Sequence, residues 1–209
     1  MILQEYFKTP IWVEQKPEWL QEVNKACDPH IKDAKKRNAD KIKKQKNDFA
    51  IVHHSGPIAT DPNLKFFIEY IGKKSVDFLD FMGFDLSQHT CIFTECWVQE
   101  FPKAGGGNHN THIHSNNHVS GFYYLKCSSK SSYPVFHDPR PAAAMLKLPE
   151  KDSKKITYAN EGVHWKPTPG TLIIAPAFVP HEYVVQKGDS FRFIHFNIQA
   201  IPNAFKGVQ

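Results

Sequence analysis

From Leu64 to Met82, apolar residues recur every three or four positions: Leu64, Phe67, Ile68, Ile71, Phe78, Leu79 and Met82. That period predicts an amphipathic helix whose apolar stripe covers one face of a sheet. Both of its ends are marked. Asp61 can cap the start, and Pro62 loses nothing there by lacking an N–H. Gly83 suits the C-terminal cap. Upstream, Pro17 opens a second helix over 18–45. Trp19, Leu20 and Val23 give its first half something to bury, but its second half is almost wholly polar. That half reads as an exposed arm or a poorly packed helix. Residues 2–14 alternate loosely, and Ile11, Trp12 and Val13 after Pro10 fit a short edge strand.

Beyond Gly83 the pattern changes. Segments 91–101, 119–127, 132–136, 171–175, 182–185 and 191–198 are short and rich in β-branched and aromatic residues. Turn signals separate them at 105–107, 167–170 and Lys187-Gly188-Asp189. Short strands at this spacing indicate a sandwich or barrel, not a parallel α/β sheet. No internal repeat is visible. One domain over 1–209 is expected, with a helical N-terminal part at 15–83 and a β core at 88–200.

Composition adds three constraints. Sixteen Phe among 209 residues favour a β-rich aromatic core. The net charge is +5, and residues 32–46 alone hold eight Lys or Arg against Asp33 and Asp40. The favoured reading of that run is the solvated face of a helix; a patch for nucleic acid or an acidic partner is the rival. No aromatic interrupts it, which argues against base stacking and hence against a nucleic-acid partner. The four cysteines form no C-x-x-C pair. No signal peptide and no membrane-spanning run is evident, so a reducing, cytoplasmic setting is expected. A homodimer stays open.

The chemistry concentrates in histidines. The segment 108–118 follows a glycine-rich loop and contains His109, His112, His114 and His118. In an extended chain, residues two apart point the same way, so His112 and His114 can aim two imidazoles at one point. Imidazole suits iron, zinc, copper and nickel. His181 follows strand 171–175 and a proline-bounded turn. A barrel that sets that strand beside 119–125 brings His181 to the pair. Three ligands on one side of a metal leave positions for water, co-substrate and O₂. Arg192 is one of only three arginines and lies in an apolar strand. There it needs a partner, either a carboxylate ligand or one of the protein's own acids.

The order of these motifs resembles the 2-oxoglutarate and Fe(II)-dependent oxygenase superfamily. The sequence runs from H-x-H through Ser120-Gly121-Phe122-Tyr123-Tyr124-Leu125, Pro169-Gly170-Thr171-Leu172 and Pro176 to His181, then Arg192 to Asn197. It is similar in particular to a group of bacterial and phage oxygenases that share the histidine pair, a Ser-Gly-x-Tyr-Tyr strand and a closing Phe-Asn. The opening Phe7-Lys8-Thr9-Pro10-Ile11-Trp12 also fits that group. The likeness implies a double-stranded β-helix, a jelly-roll or cupin-like barrel. It implies Fe(II) on His112, His114 and His181, and 2-oxoglutarate chelating the metal. Its distal carboxylate would rest on Arg192, helped by Tyr123 or Tyr124. The activity implied is hydroxylation of a substrate C–H bond; the substrate is not named by any of this.

Two departures qualify the likeness. The superfamily's second ligand is usually a carboxylate, and here it is His114. The superfamily often has Arg-x-Ser where this chain has Arg192-Phe193-Ile194-His195. If His181 pairs with His195 in a hairpin, Phe193 and His195 face the site; if with Ile194, Arg192 does. A bulge at Gly188 favours Arg192; His195 is then a candidate supporting residue, with a buried core histidine as the favoured reading. Arg140, in the Pro-rigid loop 138–141, is a candidate substrate anchor or merely the ion-pair partner of Asp138. Trp97 and Trp165 are read as core or rim. The rivals to an oxygenase are a cupin-like metal protein working without 2-oxoglutarate and a binding module that uses the lysine-rich arm.

Overall fold

A computed structural model describes residues 2, 4–128, 131, 133–145, 148–184 and 191–205. The early edge strand forms as β1 (Trp12–Gln15). The helix expected over 18–45 is divided. After a 3-10 turn at Pro17–Trp19 come α1 (Leu20–Arg37) and α2 (Ala39–Gln45), separated at Asn38. Asn38 turns its amide to the carbonyl of Val52 at 3.1 Å, which fixes the break. α1 buries Val23, Cys27, Ile31 and Ala34, at helical spacing, whereas α2 buries nothing. All eight basic residues of 32–46 are exposed, as a solvated face requires.

Asp61 does cap as expected, accepting from the Asn63 N–H at 2.9 Å, and a 3-10 turn then leads into α3 (Lys65–Phe81). Gly83 closes it at φ +89°, a conformation that other residues resist.

Among the described residues, nine further strands follow: β2 (His53–His54), β3 (His89–Phe101), β4 (Asn108–His112), β5 (Val119–Lys126), β6 (Val135–His137), β7 (Gly162–His164), β8 (Thr171–Pro176), β9 (His181–Val184) and β10 (Phe191–Pro202). Every pairing between them is antiparallel. Six strands form one sheet in the order β1-β8-β5-β10-β3-β2, and four form a second in the order β4-β9-β6-β7. These are the two facing sheets of a double-stranded β-helix. β8 lies beside β5, as the placing of His181 requires.

Alternation along the strands builds two cores. On the outer face of the large sheet, Tyr123, Ile194 and Phe196 pack against Val23 and Cys27 of α1 and Phe67, Ile71 and Phe78 of α3. Between the sheets lie Phe101, Phe122, Tyr124, Phe136, Tyr183, Phe191 and Phe193. Each fully buried ring contributes about 1.5–3 kcal/mol of hydrophobic stabilisation. Gly121 of β5 stands opposite Phe196 of β10, and a Cβ there would collide with the phenyl ring. The glycine of the Ser-Gly-Phe-Tyr-Tyr strand is thus a packing requirement.

The hairpin expected between His181 and Arg192 does not form. β9 pairs with β4 and β6, while β10 pairs with β3 and β5, so the two strands belong to different sheets. Lys187-Gly188-Asp189 and Val185 lie outside the described residues, as does Ser132. Among the described residues, no helix is long and apolar enough to cross a membrane.

Candidate metal centre

β4 ends at His112 and β9 begins at His181, and register sets these two residues directly opposite each other. His114 follows on a loop with its ends tied down. Its N–H donates to the Ala177 carbonyl at 3.0 Å, and the His118 carbonyl accepts from Ala177 at 3.1 Å. Asn116 makes the turn at φ +62°, a left-handed conformation that asparagine tolerates. His118 itself points elsewhere and accepts from the Ala200 N–H.

The three rings meet. Ring centroids of His112 and His181 are 4.6 Å apart, those of His112 and His114 5.0 Å, and those of His114 and His181 5.1 Å. One nitrogen from each lies within 4.8 Å of the others, and Nε2 of His114 is 3.3 Å from Nε2 of His181. Backbone carbonyls orient two of the rings. His112 donates from Nδ1 to Asn110 at 2.7 Å, and His181 from Nδ1 to Val179 at 3.0 Å. Both therefore present a lone pair on Nε2 to the common point. His114 differs. Its Nδ1 lies 2.9 Å from Nδ2 of Asn197, which also donates to Glu95 at 2.7 Å. Ligation through Nε2 needs the amide turned, so that the buried, unpartnered Oδ1 of Asn197 accepts from Nδ1–H.

Electrostatics keep His114 and His181 neutral. Burial, followed by the neighbouring imidazoles, pushes His114 down to about 3 and His181 to about 4. His109, stacked on Tyr183, falls to about 4 mainly through burial. Neutral imidazoles are the form that binds metal. One side of the cluster is open: His112 and His114 are partly exposed, whereas His181 is 2% exposed. A second set of donors, Glu95, His114 and His195, shares His114 from behind, with the Asn197 amide bonded to two of its members.

Arg192 is not at the site. On β10 the inward residues are Phe191, Phe193, His195 and Asn197, so Arg192 points to the helix layer. Its guanidinium donates to Glu100 at 2.6 Å from Nε and 2.6 Å from Nη2, and to Asp28 at 2.6 Å. The expectation that it faces the metal fails because β10 joins the large sheet instead of pairing with β9. Of the two alternatives, Arg192 found the protein's own acids, two of them. Tyr123 also faces outward, donating to the Lys16 carbonyl at 2.8 Å, whereas Tyr124 faces the interior. His195 lies inside, its ring 4.6 Å from His114 and 4.7 Å from Trp97. Trp97 and Trp165 border the inner core. Arg140 forms its ion pair with Asp138 at 2.6 Å and lines a cleft of about 700 Å³ with residues 4–9, Phe136 and Val179.

Sequence reasoning passed over Tyr183 and Gln99. Tyr183 was findable, because it stands two residues after His181 on the same face. Gln99 carries no signal of its own in a strand that also holds Thr94, Glu95 and Glu100.

Residues 95–197 match the family described as "Putative 2OG-Fe(II) oxygenase". No curated protein matches the sequence. Among solved structures, the chain is similar to a viral collagen prolyl hydroxylase from Paramecium Bursaria Chlorella virus-1, in complex with 2OG. Identity is 14%, coverage 91% of this chain and 96% of that one, and the TM-score 0.57. A Pseudomonas putida prolyl-4-hydroxylase gives 10% identity, coverage of 90% and 91%, and a TM-score of 0.53. An oxidoreductase of the 2OG-Fe(II) oxygenase family from Burkholderia pseudomallei gives 12% identity and a TM-score of 0.46; the match covers 66% of this chain and 56% of that one.

Proposed function

We propose, from the premise that this chain carries the 2OG-Fe(II) oxygenase pattern over residues 95–197 on the fold of those enzymes, that it is a dioxygenase hydroxylating a C–H bond of its substrate. His112, His114 and His181 would hold the iron. The family uses Fe(II) and 2-oxoglutarate; with O₂ as the oxidant, the metal would activate it and oxidative decarboxylation of 2-oxoglutarate to succinate would supply two of the electrons, the substrate C–H bond the other two. The donor set fits an iron that must keep positions open: three neutral imidazoles approach from one side, and solvent reaches the other. The barrel interior fits a polar co-substrate. Gln99 Oε1, Ser120 Oγ, Tyr183 O–H and both nitrogens of His195 are buried without a hydrogen-bond partner among the described residues, and buried polar atoms of this kind ordinarily have one.

The chain's own residues have separable tasks in this reading. The carbonyls of Asn110 and Val179 fix two imidazoles in the metal-binding tautomer. Phe122, 5.3 Å from the His181 ring, and Phe136, 6.0 Å from it, keep bulk water from that flank. The cleft reaching Phe136 and Val179 offers the substrate a way in, and two of the similar structures are named prolyl hydroxylases. That suits a substrate carried on an extended chain.

The observation that carries the reading is the direct opposition of His112 and His181 across β4 and β9, with both Nδ1 atoms already engaged. Anaerobic loading with Fe(II) should give one metal per chain, and 2-oxoglutarate with O₂ should then yield succinate. His112→Ala and His181→Ala should each abolish both. Full metal content in either variant would overturn the assignment.

One observation favours a second reading, a cupin-like metal protein working without 2-oxoglutarate: Arg192 is engaged on the far side of the sheet. Titration of 2-oxoglutarate into the metal-loaded protein separates the two.

A further inference from the structure

Register places Glu95 of β3 directly opposite Asn197 of β10, and this pair reaches the candidate metal centre through one amide. Asn197 is buried, and its Nδ2 donates to Glu95 Oε2 at 2.7 Å. A carboxylate only accepts, so the amide cannot present its oxygen there. The same Nδ2 lies 2.9 Å from Nδ1 of His114. Nδ1 must then accept, which leaves the ring proton on Nε2. The other side of the ring agrees. Nε2 of His114 is 3.3 Å from Nε2 of His181, and His181 already directs its Nδ1–H to the Val179 carbonyl. The proton of His114 therefore points into the space where the three imidazoles converge.

This arrangement leaves groups unmet. Asn197 Oδ1 is buried without a hydrogen-bond partner among the described residues, a penalty that the charge-assisted bond to Glu95 offsets. A second arrangement removes it. With the amide turned over, Oδ1 accepts from Nδ1–H of His114, and Nε2 is left with a lone pair for a metal. Glu95 would then face the amide oxygen, acceptor against acceptor, and needs another donor. His195 supplies one: its Nε2 is buried without a hydrogen-bond partner among the described residues and lies 3.9 Å from Glu95 Oε2.

Resting on the reading of His114 as a metal ligand, we infer that Glu95 is a positioning residue that governs metal uptake by holding the Asn197 amide. While Glu95 accepts from that amide, His114 stands in the tautomer that cannot ligate through Nε2. When Glu95 turns to His195, the amide rotates. One proton then leaves Nε2 for water and another reaches Nδ1, so the ring stays neutral. Glu95 is exposed, whereas Asn197 and His195 are buried. The residue that sets the state of the centre is thus the one that solvent reaches.

The metal-free full chain, labelled with ¹⁵N on histidine, reports the tautomer directly by NMR. In the wild type, His114 should carry its proton on Nε2. In Glu95→Gln the new amide can donate to a turned Asn197, so the Nδ1–H form should become the major one. Zn(II) affinity is read by competition with a chromogenic chelator. Losing a negative charge near the metal weakens binding on its own, but that effect persists without the Asn197 amide. A double-mutant cycle with Asn197→Leu therefore isolates the coupling. Glu95→Gln should favour Zn(II) binding about tenfold more with Asn197 present than with leucine there, and should leave the tautomer unchanged in the leucine background. Three results would each overturn the inference and leave the metal centre standing: an Nδ1–H His114 in the metal-free wild type, a tautomer indifferent to Glu95→Gln, or equal effects of that substitution in both backgrounds. Should Asn197→Leu fail to fold, the tautomers of the wild type and Glu95→Gln still decide. A wild type that takes up neither Zn(II) nor Fe(II) would remove the metal-centre reading along with the inference.

Discussion

At the scale of the residue, the centre contains two imidazoles, His114 and His181, that resist protonation. His181 titrates at about 4 and His114 at about 3, against an ordinary 6.5, chiefly because burial penalises the charged ring. The unfolded chain therefore takes up protons near pH 6.5 while the folded chain does not. Stability is fully present above 6.5 and is lost as pH falls from there towards 3–4, at up to about 1.4 kcal/mol per pH unit for each histidine. The metal-free protein should melt progressively lower between pH 7 and pH 4, and His181→Asn should flatten that slope. Thermal denaturation at stepped pH reads both. The three histidines were legible because a period of two and one proline-bounded turn sufficed to aim them. Arg192 was not. Whether residue 192 faces in or out depends on which sheet β10 joins, and no local pattern in Phe191–Phe196 carries that information.

At the scale of the element, legibility follows hydrophobic contrast. α3 was readable from Leu64 to Met82 because a strong apolar stripe lies between a capping Asp and a closing Gly. β4 was not recognised as a strand, since Asn108–His112 has no apolar residue at all. It is held by cross-strand pairing and by the Thr111 hydroxyl donating to Glu182. The division of α1 from α2 was equally hidden, because it depends on a carbonyl fourteen residues away. Gly121 makes the same point for β5: its role appears only when Phe196 is laid across it. Gly121→Ala should cost about 1–3 kcal/mol through forced displacement of that ring. Urea denaturation would show it as a lower midpoint with an unchanged slope.

At the scale of the whole molecule, the helices cover one face of the large sheet and leave the other for chemistry. That layering was legible from the order of helical and strand-like segments. The strand order was not, because antiparallel barrels of different connection share the same local patterns. The candidate metal links β4, β9 and the loop after β4, so binding should stabilise the entire fold. At one hundred times its Kd, a metal adds about 2.7 kcal/mol. Treatment with a strong chelator should therefore lower the melting temperature, and Fe(II) or Zn(II) should restore it, while the His112→Ala protein should be indifferent to both.

The opposition of His112 to His181 carries one more implication. Because the two rings sit across a single rung of the ladder, a slip of either strand by one residue turns one ring to the wrong side. Misassembled chains would be unable to pick up the ion, and correctly assembled ones would be locked by it. Metal loading would then act as a proofreading step for the barrel, and apoprotein refolded with the ion present should recover a larger fraction of native molecules than apoprotein that meets it afterwards.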